Sequence, residues 1–74
     1  MIERYKITIF LKSGILDNAG KATNKALNSM GFSNVLDVRI GKYIELKCDK
    51  NDIDRIIKSL YNEVMEDYKV EVVK

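Results

Sequence analysis

Two short alternating runs around a single glycine constrain this chain most. In Asp37-Val38-Arg39-Ile40-Gly41-Lys42-Tyr43-Ile44-Glu45-Leu46, apolar residues alternate with polar ones on either side of Gly41-Lys42. Period-2 alternation around a glycine predicts a β-hairpin with one buried face. Parity sets its register. A two-residue loop would place Glu45 on the apolar face. A three-residue loop, Gly41-Lys42-Tyr43, sets Ile40 opposite Ile44, Val38 opposite Leu46 and Leu36 opposite Cys48. The other face then pairs Arg39 with Glu45 and Asp37 with Lys47. A slip of one residue would lose both sets of pairs, so the odd loop is the consistent one. This register assumes that the two strands belong to one chain.

A chain of 74 residues is one domain, residues 1–74, and a marginal one. Cys48 is the only cysteine and there is no histidine, so neither a disulfide nor a structural zinc site is available to it. Oligomerisation or a partner is the remaining common source of stability. The net charge of +2 comes from interspersed residues of both signs, which gives no basis for a nucleic-acid or anionic membrane surface. No apolar run approaches the roughly 18 residues of a membrane span. The N-terminal residues lack a signal pattern, and a cytoplasmic location is expected. Cys48, at an apolar strand position, reads as a small core residue.

Before the hairpin, Tyr5, Ile7, Ile9 and Leu11 alternate with polar residues and Phe10 in a first strand. Asp17 is placed to cap a helix whose stripe is Ala19, Ala22, Thr23, Ala26, Leu27 and Met30, and Gly31 sits where that helix should stop. After the hairpin, Asn51 is placed to cap a second helix, with Asp54 three residues on and a stripe of Ile53, Ile56, Ile57, Leu60, Tyr61 and Val64. Tyr68, Val70 and Val72 mark a last strand.

The predicted fold is therefore α+β: a two-layer sandwich in the order β-α-β-β-α-β. Its four-stranded antiparallel sheet carries both helices on one face, in a ferredoxin-like topology open to extension across a dimer. The uncovered face would show Thr8, Phe10, Tyr43 and Val73. Phe10, on a central strand there, is a candidate subunit contact.

Catalytic chemistry is hard to place. Without histidine there is no Ser-His-Asp or Cys-His arrangement, and no glycine-rich phosphate loop is present. An acylphosphatase-like site would need an arginine after the first strand, and residues 12–20 have none. An RNA-binding sheet would need an aromatic-rich motif that residues 41–46 do not match. No catalytic, cofactor-binding or metal-binding residue is assigned.

Three ordered segments do resemble a known family. They are Leu11-Lys12-Ser13-Gly14-Ile15-Leu16-Asp17 with Gly20, Ala22, Ala26-Leu27 and Gly31-Phe32; then Val35, Val38-Arg39, Gly41-Lys42, Ile44 and Leu46; then Val64-Met65-Glu66-Asp67-Tyr68 with Glu71. They are similar to the motifs of PurS, the small subunits of multisubunit phosphoribosylformylglycinamidine synthase. Two departures are Asn18-Ala19 where the family often has Pro-Gln, and Asn62-Glu63 where it often has Asn-Pro. Without that second proline, the second helix is free to run on by a turn.

The resemblance implies a subunit without an active site of its own. The complex converts formylglycinamide ribonucleotide, glutamine and ATP to formylglycinamidine ribonucleotide, glutamate, ADP and phosphate. A large synthetase subunit would hold ATP and Mg2+, a glutaminase subunit would release ammonia, and the small subunit, a homodimer or tetramer, would bridge them. Neither nucleic acid nor membrane is an expected partner. The partner-facing candidates are Phe10, Lys12, Asp17, Arg39, Lys42, Tyr43 and Tyr68. The residues also leave open a regulatory domain of the same topology that senses a small molecule at a dimer interface.

Overall fold

The strictest alternation in the sequence lies in the central strand. The computed structural model describes residues 1–74 and runs β1 (Ile2–Leu11), α1 (Asn18–Ser29), β2 (Lys42–Asp49), α2 (Ile53–Leu60) and β3 (Glu66–Val73). The sheet is antiparallel in the order β2-β1-β3. On its inner face Ile7 lies between Ile44 and Val70, and Tyr5 between Leu46 and Val72. Tyr5, Ile7 and Ile9 join Ile57 of α2 in the buried core, with Ile44, Leu46, Cys48, Ile53, Leu60 and Tyr61 packed around it. Flanking strands with apolar residues at matching parity put β1 in the middle, where it buries most.

The sheet has three strands, not four. Residues 35–41 form no hairpin with β2, and the expected pairs of Ile40 with Ile44 and Arg39 with Glu45 are absent within the chain. The helix layer differs too. Only α2 packs on the sheet; the stripe of α1 is exposed apart from half-buried Leu27, and Gly20 is its one buried residue.

The reason lies in what holds residues 35–40. They run back along the polar side of α1. Asn28 Nδ2 donates to the Val35 carbonyl at 3.2 Å, and Asn24 Nδ2 to that of Leu36 at 3.4 Å. Asp17 accepts from the Ile40 amide at 2.8 Å. Eleven helical residues at about 1.5 Å each match five extended ones at about 3.3 Å. The matched lengths fit an extended segment, with a helix beside it in place of a second strand. Helix and segment together form an arm.

The molecule is correspondingly long, 50 × 27 × 13 Å, with a radius of gyration of 15.7 Å. A compact chain of this length would have about 11 Å. Its accessible surface is 5767 Å², where a compact monomer of this mass would have about 4,650 Å².

Helix ends follow local chemistry. Asp17 caps α1 through the Gly20 amide at 2.7 Å. Gly31, at φ +101°, turns the chain out of α1 in a conformation that costs a side-chain-bearing residue more. For α2 the expectation of an Asn51 cap fails. Asp52 is the N-cap, and its carboxylate pairs with Arg55 rather than with a backbone amide. The helix does not run on past Leu60 either. Tyr61 is extended, at φ −136° and ψ 158°, and its ring packs against Tyr68 with centroids 5.0 Å apart. Val64 of the predicted stripe lies outside the helix, exposed. No helix is long and apolar enough to cross a membrane.

Candidate functional site

The most constructed place in the molecule is the crossing of residues 38–41 over the C-terminal end of β1. Asp17 is its centre. This carboxylate is 6% exposed. One oxygen, Oδ1, accepts from Gly20 N at 2.7 Å; the other, Oδ2, accepts from Ile40 N at 2.8 Å. Arg39 Nε stands 3.9 Å from Oδ2. The Ile40 amide, then the Gly20 amide, with a smaller contribution from Arg39, hold the Asp17 carboxyl below the usual carboxylate range against the opposing effect of burial.

Two glycines make the crossing close. A Cβ on Gly20 would lie 2.2 Å from the Val38 carbonyl oxygen, and one on Gly41 would lie 2.6 Å from that of Ile9. No larger residue fits at either place without moving backbone. Arg39 completes the junction by donating to the carbonyls of Leu11 at 3.3 Å and Lys12 at 3.5 Å. Both carbonyls lie where β1 runs out, and that of Lys12 also accepts from the Ile15 amide at 3.1 Å. The predicted Arg39–Glu45 pair is replaced by these Arg39 contacts.

Of the seven candidate residues, Asp17 and Arg39 are brought into contact. Lys12 joins them through its carbonyl, which accepts from Arg39 at 3.5 Å, and its side chain reaches Asp67 of β3 at 3.9 Å. Lys42 is not at a loop tip. It is the exposed first residue of β2, paired with Ile9, and borders a cleft of about 270 Å³ with Phe10, Ile40 and Glu66. Phe10 and Tyr43 lie on the outer sheet face as predicted; Tyr43 is exposed and Phe10 half-buried, with Lys69 Nζ 6.0 Å from its ring centroid. Tyr68 is on the other face, paired with Ile9 and against Tyr61.

Asn24 and Asn28, which fasten residues 35 and 36 to α1, were not among the candidates. Their signal was available: two asparagines one turn apart inside a helix, where that residue is unfavourable without a partner.

Each carboxylate oxygen accepts from one amide, and no group of three or more His, Cys, Asp or Glu side chains is placed to hold a metal ion. Cys48 is half-buried, and burial, with Asp52 and Asp49 nearby, pushes its thiol up. The crossing is a piece of architecture that aims the arm.

Residues 4–74 match the family model "PurS: Phosphoribosylformylglycinamidine (FGAM) synthase". The phosphoribosylformylglycinamidine synthase subunit PurS of Bacillus subtilis is 43% identical over 76 residues, covering 93% of this chain and 90% of that one. The crystal structure of Methanocaldococcus jannaschii PurS, described as one of the subunits of formylglycinamide ribonucleotide amidotransferase in the purine biosynthetic pathway, superposes with a TM-score of 0.85 at 31% identity, over 100% of this chain and 98% of that one. A structure of PurLQS from Thermotoga maritima contains a chain that superposes with a TM-score of 0.75 at 25% identity, over 99% of both.

Proposed function

The chain belongs to the PurS family of phosphoribosylformylglycinamidine synthase subunits, and we propose that it is the non-catalytic small subunit bridging the glutaminase and synthetase subunits of that complex. The match over residues 4–74 carries the reading. The absence of histidine and of a nucleophile–base pair in the sequence agrees with it. ATP and Mg2+ belong to the large subunit in this reading. Ammonia released at one site must reach another without escaping to solvent, which gives a spacer of fixed geometry its use.

The arm supports a second part of the proposal, a homodimer in which residues 35–40 of each copy lie beside β2 of the other. The amides of Leu36, Asp37, Val38 and Arg39 donate to nothing within the chain, and the outer edge of β2 is open. Leu36 is 88% exposed and Ile40 44%. The register read from the sequence applies equally between copies: Ile40 beside Ile44, Val38 beside Leu46, Leu36 beside Cys48. Asp37 opposite Lys47 adds a charge pair; Arg39 is already committed to Leu11 and Lys12. This would restore a fourth strand to each sheet and bring α1 over the partner's half-buried Ile44 and Leu46. The surface in excess of a compact monomer, roughly 1,100 Å², is of the size that a stable interface removes per partner.

The test is reconstitution. Glutamine-dependent formation of formylglycinamidine ribonucleotide by the large and glutaminase subunits should depend saturably on this chain, which alone should turn over neither glutamine nor ATP. Full activity without it, or turnover by it alone, would overturn the assignment.

A further inference from the structure

The amide of Ile40 has two competing acceptors. In the structure it donates to Asp17 Oδ2 at 2.8 Å. In a closed three-residue hairpin, Ile40 would be the last paired residue before the loop, and the same N–H would be turned toward the Ile44 carbonyl. One N–H cannot do both. Arg39 and Gly41 lean the same way: Arg39 is held by the carbonyls of Leu11 and Lys12, and Gly41 lies against Ile9 and Phe10, so residues 39–41 continue straight on from β2 along β1.

We infer that the Asp17 carboxylate is a lock that keeps residues 38–41 open, and so selects the exchanged dimer over a closed, monomeric hairpin of the same sequence. The inference rests on the exchange reading above and adds a positioning role for one side chain. Asp17 has two oxygens and uses both, one for each amide. Asparagine has one. It can still cap α1 through Gly20, but its amide nitrogen would then face the Ile40 N–H, donor against donor. Asp17→Asn therefore removes the lock and spares the cap. Asp17→Ser does the same by a different route, since a hydroxyl caps well but is too short to reach Ile40.

The natural Cys48 supplies a reporter. In the shared register Leu36 lies beside Cys48, so Leu36→Cys places two thiols at cross-strand distance, within one chain if the hairpin is closed and between chains if it is exchanged. The full chain carrying Leu36→Cys is oxidised mildly at low micromolar concentration, with and without Asp17→Asn or Asp17→Ser. Covalent species are sized on a non-reducing gel, folding is followed by circular dichroism, and dimer affinity is measured by sedimentation on the unoxidised proteins.

With Asp17 present, the disulfide should join two chains, giving twice the 8.5 kDa of one. With Asn or Ser at 17, dimer affinity should fall about tenfold or more, and the disulfide should move to within one chain. Interchain disulfide in equal yield and unchanged affinity in all three proteins would overturn the lock and leave the exchange standing. No interchain disulfide with Asp17 present would overturn the exchange itself. If both variants lose their secondary structure instead of redistributing, Asp17 is a folding residue and the lock is likewise overturned.

Discussion

Asp17 and Ile40 are 23 residues apart in sequence, yet a carboxylate oxygen of one accepts the backbone N–H of the other at 2.8 Å. Through this bond the end of the first strand, the start of α1 and the start of β2 share one junction. With the Asn24 and Asn28 contacts it holds residues 35–40 along α1.

Gly20→Ala tests how tight the junction is. In an exposed helix this change would stabilise by up to about 1 kcal/mol. Here the new Cβ would lie 2.2 Å from the Val38 carbonyl oxygen, and both atoms are held by backbone. The melting temperature should fall. A rise would show that residues 38–40 are free to move off α1.

Acid should loosen the junction. The carboxyls of Asp17 and Asp49 are both held below their ordinary range, Asp17 chiefly by the Ile40 amide and Asp49 chiefly by the Asn51 amide. A carboxylate depressed in the folded state contributes stability above its unfolded value, about 3.9, and that contribution is lost as pH falls through the lower folded value. Stability should therefore decline below about pH 4, and Asp17→Asn should flatten that decline. Chemical denaturation at a series of pH values measures both; an unchanged acid slope in the variant would refute the assignment to Asp17.

Core and arm should respond differently to dilution. Ile7 is fully buried within one chain. Ile7→Ala should cost about 2–5 kcal/mol at any protein concentration. Leu36 is exposed in the chain and, in the proposed exchange, would gain neighbours from a second copy. Leu36→Ala should lower the melting temperature at high concentration and have no effect at concentrations where the wild type is monomeric. Equal losses at all concentrations would place Leu36 in an intrachain contact.

Lys42→Glu should leave the melting temperature nearly unchanged, because the side chain is exposed at the start of β2. It should lower the glutamine-dependent activity of the reconstituted complex, since Lys42 borders the one cleft that joins Phe10, Ile40 and Glu66. Full activity across a range of subunit concentrations would remove Lys42 from the partner surface.

Cys48 should alkylate slowly at neutral pH. Its thiol is half-buried and held up by burial with Asp52 and Asp49 nearby. Mass spectrometry after a timed exposure to iodoacetamide checks this; a rate matching that of a free thiol would mean that α2 lifts readily from the sheet.

The sequence alone determined the central strand with its buried face and the limits of α1. Alternation at Tyr5, Ile7 and Ile9 marked the central strand and its buried side, and Asp17 and Gly31 marked the ends of α1. These are local signals: backbone sterics, cap chemistry and the period at which side chains repeat on one face. The second alternating run, through Val38 and Ile40, was also legible as an extended segment. What it would pair with was not. A side-chain pattern says which face of a strand is apolar, but a neighbouring strand meets its edge through backbone groups that every residue shares. A hairpin and an exchanged pair present the same side chains in the same register. Only the tertiary structure showed that the segment makes no hairpin within its chain, by placing an asparagine pair, a close-packed glycine and the second oxygen of Asp17 along it.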